Sequence, residues 1–334
     1  MDKEILKTYI EYSNIYYYKN TINFDKIIEN NNEYNIKLEK NGKYIFITFA
    51  DTLNNNRIGL DRMQNVELLK NKLQNNKNID EVIVYNLNDI DDDFKHKHKN
   101  LFKSSKYFAW ISKVYLIYKK LQEIDENDIL LWVDSDLIDI KEKGTNNLFS
   151  LCENSEKGIV GFHNNFWLEQ MFTKRALFDY LNMNDNIYYE TSQIYGGIVL
   201  LKKNIYTCKI IKEWYDICLI EHLFNNTKSI NEHHEFVEHK NCQSIFSLLL
   251  KKYNIKTYPI PITNIDNNDI IAINAGYFNI ENNTPLVWGS GWHKLSKTEQ
   301  MYIGCNTKLK NKGIIIPEST MLISLKYLKQ YLRI

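Results

Sequence analysis

The stretch DENDILLWVDSDLIDI (residues 125–140) decides the fold. Four acidic or turn-forming residues lead into the apolar run Ile129–Val133, which ends abruptly at Asp134, Ser135 and Asp136. A short apolar run between turn signals predicts a strand that is buried on both faces. In open α/β sheets, ligands bind at the carboxyl ends of the strands. Two carboxylates at that edge are hard oxygen ligands, so they predict a divalent cation that helps to bind a phosphate or diphosphate.

The Asp-X-Asp pair has two other interpretations. Such pairs occur by chance, and acidic residues after a strand often only cap the next helix. A phosphatase would use the first aspartate as its nucleophile, but such sites normally open the fold near the amino terminus, whereas Asp134 lies deep in the chain. The buried strand in front of the pair favours the metal interpretation.

The chain before this pair alternates strands and helices. The pattern predicts strands at residues 43–51 and 81–87 and helices at residues 61–74 and 109–124. This order predicts an α/β fold with a single Rossmann-like, mostly parallel sheet flanked by helices, followed by a mixed second half. A Gly-rich phosphate loop follows neither of the first two strands, which excludes dinucleotide and Walker-type sites. The charged stretch 89–99 is predicted to be an exposed loop.

Composition limits the class of protein. The 42 basic and 41 acidic residues give a formal charge of +1, which gives no reason to expect a nucleic-acid partner. No apolar run reaches the roughly 20 residues of a membrane span, and the amino terminus is too charged for a secretory signal. The five scattered cysteines predict free thiols and a reducing compartment. We therefore expect a cytoplasmic protein, which would lie in the host cytoplasm or the virion if the source is viral.

The sequence is rich in Asn, Ile, Lys and Tyr, which is typical of an AT-rich genome. It contains no internal repeat, and it leaves the oligomeric state open.

Four segments point to one enzyme family. They are ITFAD (47–51), DILLWVDSD (128–136), SQIYGGIVLLKKN (192–204) and EFVEHKNCQSIFSLLLKKY (235–253). Together they resemble a glycosyltransferase of the GT-A fold, a nucleotide-diphospho-sugar transferase with an Asp-X-Asp motif, in the retaining family-8/32-like branch. The resemblance implies a GT-A domain at 43–300, with a nucleotide-binding half at 43–140 and an acceptor and sugar half at 141–300. A helical extension at 1–42 and a terminal helix at 301–334 would pack on it.

The resemblance also implies the residues of the site. Asp134 and Asp136 would hold Mn²⁺ or Mg²⁺, with His293 of the segment WGSGWHK as the third ligand. Gln243 and Asp136 would be the catalytic residues, Gln243 beside the donor sugar. The residues expected to bind the donor nucleotide are Asp51, near its base or ribose, and Arg57, Asp134, Ser135 and Lys294, the last at the diphosphate.

The implied activity is metal-dependent hexosyl transfer. The donor would be a UDP-sugar, with a GDP-sugar as the second choice, and the acceptor a hydroxyl group on a glycan, a protein or a lipid-linked molecule. In related sequences, Asp directly precedes the glutamine and Arg lies three residues before it. This chain has Cys242 and Lys240 at these two positions. An inverting enzyme would instead need a carboxylate base, for which Glu190 and Glu238 are candidates.

Two further classes remain open. A metal-dependent nucleotidyl or phosphoryl transferase would use the same aspartate pair. A catalytically dead GT-A protein with a binding role is the other alternative, because Cys242 replaces the expected carboxylate.

Overall fold

A computed structural model describes residues 40–51, 62–103, 107–135, 137–140, 142–259, 273–275, 277–279 and 284–286. Of the predicted extension at 1–42 it describes residues 40–42 alone, and the predicted helix at 301–334 lies outside it. Within the described residues, none of the helices is long and apolar enough to cross a membrane.

The described elements alternate as the sequence predicts in the first half. The strands are β1 (Tyr44–Phe49), β2 (Glu81–Tyr85), β3 (Ile129–Val133), β4 (Leu137–Ile140), β5 (Ile159–Leu168), β6 (Ser192–Ile194), β7 (Ile198–Lys202), β8 (Thr257–Pro259), β9 (Ile273–Ala275), β10 (Tyr277–Asn279) and β11 (Thr284–Leu286). The helices are α1 (Arg62–Gln74), α2 (Asp92–Lys97), α3 (Lys99–Lys103), α4 (Phe108–Glu123), α5 (Glu142–Glu153), α6 (Glu169–Phe172), α7 (Arg175–Leu181), α8 (Asn186–Tyr189), α9 (Ile205–Cys218), α10 (Glu221–Phe224) and α11 (Cys242–Lys252).

One seven-stranded sheet organises the chain, in the order β2-β1-β3-β7-β5, with β6 and β8 both paired to β5. β1 runs parallel to β2 and β3, and β8 runs parallel to β5. β6 and β7 run antiparallel to β5, and β7 is also antiparallel to β3. Five of the seven strands therefore point one way. The predicted α/β class, with a mostly parallel sheet and a mixed second half, is confirmed, and it is consistent with the GT-A type.

The central strand β3 is buried on both faces, as its sequence predicts. Leu130 and Trp132 belong to one hydrophobic cluster, which also contains residues of α4, α9 and α11. Ile129, Leu131 and Val133 belong to the other, together with residues of α1 and α5. Because successive side chains of a strand point to opposite faces, helices cover this strand on both sides.

The acidic turn before β3 joins β3 to β1. The Asp128 carboxylate accepts the backbone N–H of Lys43 at 2.7 Å and that of Asp125 at 2.9 Å. Asn127 has a positive φ of 70°, a conformation that asparagine tolerates. The Asp128 carboxylate is thus structural.

Most residues of the stretch 89–99 are exposed, as predicted, but the stretch is helical and the prediction of a loop is wrong. A 3₁₀ turn at Leu87–Asp89 is followed by α2 and α3. Phe94 of α2 is only 8% exposed, and its ring stacks on that of Tyr115 with 4.1 Å between centroids. One buried aromatic residue among charged neighbours therefore anchors this segment to α4.

Candidate functional site

The carboxyl ends of β1 and β3 form the edge at which the predicted site residues begin. The strands are parallel neighbours, and the Thr48 hydroxyl donates a 2.7 Å hydrogen bond to the carbonyl of Val133. Asp51 follows β1 and is buried, at 8% exposed, while Asp134 follows β3 with a side chain that is 31% exposed. The structure therefore brings Asp51 and Asp134 to the same edge of the sheet, as predicted.

The Asp134 carboxylate faces a buried lysine. Lys113 of α4 places its Nζ 3.0 Å from Oδ1 and 3.3 Å from Oδ2 of Asp134. The same ammonium donates to the carbonyl of Gly196 at 2.8 Å. Since the Lys113 side chain is only 5% exposed, this ion pair is largely desolvated on one side and open on the other. It sets a fixed positive charge beside the predicted metal ligand.

Trp132 supplies a second donor to the same carboxylate. Its indole N–H bonds Asp134 Oδ1 at 2.8 Å, from a ring that is 2% exposed. Asp134 comes two positions after Trp132, directly beyond the end of β3, and the hydrogen bond places the two side chains on the same face. The backbone N–H of Asp134 donates to the carbonyl of Gly197 at 2.9 Å. Asp134 is therefore oriented by both its side chain and its backbone.

The segment 195–197 interrupts an antiparallel strand opposite Asp134. β7 pairs with β5 at Ile159 and Val160, and β6 pairs with β5 from His163 onward, so residues 195–197 separate two parts of one edge. A side chain at Gly196 would approach the Gln243 Cβ to 3.0 Å. Any larger residue at this position would therefore push Gln243 away by a few tenths of an ångström.

Gln243 lies at the start of α11 and is tied to this interruption. Its Oε1 accepts the backbone N–H of Gly196 at 2.9 Å, and its Nε2 donates to Gln193 Oε1 at 2.6 Å. The side chain is buried, with 9% exposure of the residue. The second N–H of the amide has no partner among the residues that the structure describes, so it remains able to bond a ligand.

Beneath Gln243 lies a buried polar network that the sequence did not indicate. Gln193, fully buried in β6, donates to the Phe172 carbonyl at 3.2 Å and to the hydroxyls of Thr173 and Ser244 at 3.1 Å each. Deeper still, Lys251 and Glu169 form an ion pair 2.5 Å apart in which both side chains are inaccessible to solvent. The network holds α11 against β6 and fixes the orientation of the Gln243 amide.

Cys242 occupies the position where related sequences carry Asp. It is buried near the Lys113–Asp134 ion pair. Burial raises the pKa of its thiol to about 11; the Lys113 ammonium opposes this shift and the Asp134 carboxylate contributes to it. The thiol is therefore neutral at physiological pH, and Asp134 remains the carboxylate that compensates Lys113. Cys152, Cys208 and Cys218 are also free, as predicted.

The remaining predicted site residues divide into two groups. Ser135 directly follows Asp134 and is buried, at 3% exposed. Arg57, Asp136, His293 and Lys294 lie outside the described residues, so their proposed roles stay predictions.

A second group of metal-type ligands lies on the loop before α11. His233, His234 and Glu235 have donor atoms within 4.8 Å of one another. Two contacts already occupy this group: the Glu235 backbone N–H donates to His233 Nδ1 at 3.3 Å, and Gln170 donates to Glu235 at 2.9 Å. A neutral ring that accepts at Nδ1 carries its proton on Nε2, so His233 does not present a second lone pair to a cation.

The carboxyl groups near this loop have distinct environments. Burial raises the pKa of Glu235 to about 7, Glu190 adds repulsion, and the Gln170 hydrogen bond opposes the shift. Glu238 forms an ion pair with Lys240. Of the two base candidates, Glu238 is therefore already neutralised by a lysine, and Glu190 lies near a second carboxyl group.

Lys113 is the main site residue that sequence reasoning missed. It lies in the predicted helix at 109–124, and its helical neighbours at positions −3, +3 and +4 are Trp110, Leu116 and Ile117. A single lysine on an apolar helix face is the signal that could have identified it, because buried lysines are almost always paired.

Comparisons with known proteins give a structural likeness alone. No family model matches the sequence, and no curated protein matches it. Among solved structures, the apo crystal structure of mouse xyloside xylosyltransferase 1 is similar to this chain, with a TM-score of 0.37 and 12% sequence identity. The match covers 66% of this chain and 88% of that one. A likeness at this level assigns neither an activity nor a substrate to the chain.

Proposed function

We propose that this protein is a metal-dependent glycosyltransferase. It would move a monosaccharide from a nucleoside-diphosphate sugar, preferably a UDP-sugar, to a hydroxyl group of a glycan, protein or lipid-linked acceptor. The observation that carries the proposal is the half-open Asp134 carboxylate at the ligand-binding edge of the sheet, next to the buried ammonium of Lys113.

The geometry of Asp134 fits a divalent cation. Oδ1 accepts hydrogen bonds from Trp132 and Lys113, while the single contact of Oδ2 among the described residues is Lys113 at 3.3 Å. An oxygen that retains a lone pair on a partly exposed carboxylate suits Mn²⁺ or Mg²⁺. Asp136 and His293 are proposed to complete the ligand set. The cation, when bound, would neutralise the diphosphate as it leaves.

Two side chains of the protein are proposed to act on the donor directly, Lys113 at the diphosphate and Gln243 at the sugar. Lys113 adds a fixed positive charge near the diphosphate, which stabilises charge that develops on the leaving group. The remaining amide N–H of Gln243 is proposed to donate to a hydroxyl of the donor sugar. Gln193 and Gly196 would hold the amide in the orientation that this bond requires.

Retention of the anomeric configuration is proposed on the similarity around Gln243. The structure supports it in one respect: Glu238, a candidate inverting base, is paired with Lys240. The anomeric configuration of the glycoside product, read by NMR and compared with that of the donor sugar, would distinguish the two outcomes.

Mn²⁺-dependent thermal stabilisation by a panel of nucleotides tests the proposal. We expect UDP or GDP to raise the melting temperature only when Mn²⁺ is present, and we expect Asp134→Asn to abolish the effect. A response to ATP alone would indicate a nucleotidyl or phosphoryl transferase. Silence toward every nucleotide would indicate a binding protein without transfer activity.

A further inference from the structure

The two oxygens of the Asp134 carboxylate have unequal surroundings. Oδ1 receives the Trp132 indole N–H at 2.8 Å and the Lys113 ammonium at 3.0 Å. A carboxylate oxygen has two lone-pair sites, so these two donors fill Oδ1. Oδ2 lies 3.3 Å from Lys113, beyond the usual 2.7–2.9 Å of a charge-assisted hydrogen bond of this kind.

The indole is locked in place. Trp132 is 2% exposed, and its position on β3 fixes it on the same face as Asp134. Indole nitrogen is a donor only, and a buried N–H is costly to leave without an acceptor. Rotating the carboxylate to offer both oxygens to a ligand would therefore break this bond with no replacement.

We propose that Trp132 is a positioning residue that makes Asp134 a one-oxygen ligand, binding a divalent cation through Oδ2. This inference rests on the proposed metal-dependent function and deepens it. Smaller cations with octahedral geometry, such as Mg²⁺ and Mn²⁺, accept single carboxylate oxygens, whereas Ca²⁺ readily takes both oxygens of one carboxylate. Trp132 thereby contributes to the choice of metal, selecting against Ca²⁺.

Calorimetric titration of Mn²⁺ and Ca²⁺ into the wild type and Trp132→Phe tests the inference. We expect Trp132→Phe to reduce the preference for Mn²⁺ over Ca²⁺ by about tenfold, the usual size for one hydrogen bond to a charged group. Trp214→Phe is the matched control, because Trp214 is also a buried indole but donates to the Cys242 carbonyl, at 2.8 Å. Its metal preference should equal that of the wild type.

A variant of the same shape separates hydrogen bonding from packing. Replacing Trp132 with benzothienylalanine exchanges the indole N–H for sulfur and keeps the ring volume. Because this side chain keeps the core filled, the test remains possible if Trp132→Phe does not fold. This protein should show the same loss of preference. Suppose that the wild type binds Mn²⁺ and that Asp134→Asn abolishes this binding. An unchanged ratio of Mn²⁺ to Ca²⁺ affinity in a folded Trp132 variant would then overturn the inference about Trp132 and leave the proposed function intact. Mn²⁺ binding that is absent, or that survives Asp134→Asn, would instead overturn the proposed function together with the inference that rests on it.

Discussion

Replacing Lys113 with Met should make the protein bind metal more tightly and transfer sugar more slowly. Lys113 Nζ lies 3.0 Å and 3.3 Å from the two oxygens of Asp134. A cation about 2.1 Å from Oδ2 would therefore lie roughly 4–5 Å from the ammonium. The lysine and the metal would compete for the same carboxylate.

The size of the effect follows from these distances. Two unit charges 4 Å apart at an effective dielectric constant of about 20 interact by about 4 kcal/mol, and a divalent ion doubles this repulsion. Solvent around a carboxylate that is 31% exposed screens much of it. We therefore expect Lys113→Met to raise Mn²⁺ affinity by roughly tenfold to a hundredfold, about 1.4–2.8 kcal/mol. Transfer should fall, because the departing diphosphate loses a fixed positive charge.

Calorimetry with Mn²⁺ and a transfer assay measure the two effects separately. Lys119→Met is the matched control: it makes the same change on the same helix, and Lys119 also forms an ion pair, with Asp91 at 2.8 Å. Its metal affinity and transfer rate should equal those of the wild type. Unchanged or weaker Mn²⁺ binding in Lys113→Met would refute the reasoning, since it would mean that the ammonium and the cation do not share Asp134.

Three further predictions concern the surroundings of the site. Lys251→Met should lower the free energy of unfolding by about 3–5 kcal/mol in urea titrations, because Glu169 would keep a buried, unpaired charge; adding Glu169→Gln should restore much of the loss. The pKa of Glu235 is about 7 in the folded protein, above its ordinary 4.5. Its contribution to the free energy of unfolding is therefore full below pH 4.5 and lost as pH rises through 7. Glu235→Gln should remove about 1–3 kcal/mol of this pH dependence. Gln243→Ala should reduce kcat far more than nucleotide affinity, and a wild-type transfer rate would show that Gln243 only begins a helix.

The sequence predicted the features that depend on local periodicity. The apolar run Ile129–Val133 has both faces in hydrophobic clusters, and β1 runs parallel to both β2 and β3, as the strand-helix-strand pattern requires. Because parallel strands that are joined by helices end at one edge of the sheet, the proximity of Asp51 and Asp134 could be inferred as well.

Features that depend on distant contacts could not be predicted. The break between β6 and β7 has no local signal: Gly196 accepts a hydrogen bond from Lys113 and donates one to Gln243, and residues 195–197 lie outside both strands. Lys113, the partner of Asp134, is 21 residues away; its place on an apolar helix face indicates a buried, paired lysine but not which carboxylate it contacts. For the same reason, the Gln193 contact that orients Gln243, 50 residues away, has no local signal.

Donor turnover by the wild type and Asp134→Asn tests the central claim most directly. Each protein would be incubated with UDP-sugars and GDP-sugars, with and without Mn²⁺, and the free nucleoside diphosphate and the sugar product would be followed by NMR. We expect release that requires Mn²⁺, is abolished by EDTA and by Asp134→Asn, and yields a product of retained configuration. Release at the wild-type rate by Asp134→Asn, or release that EDTA does not reduce, would contradict this claim.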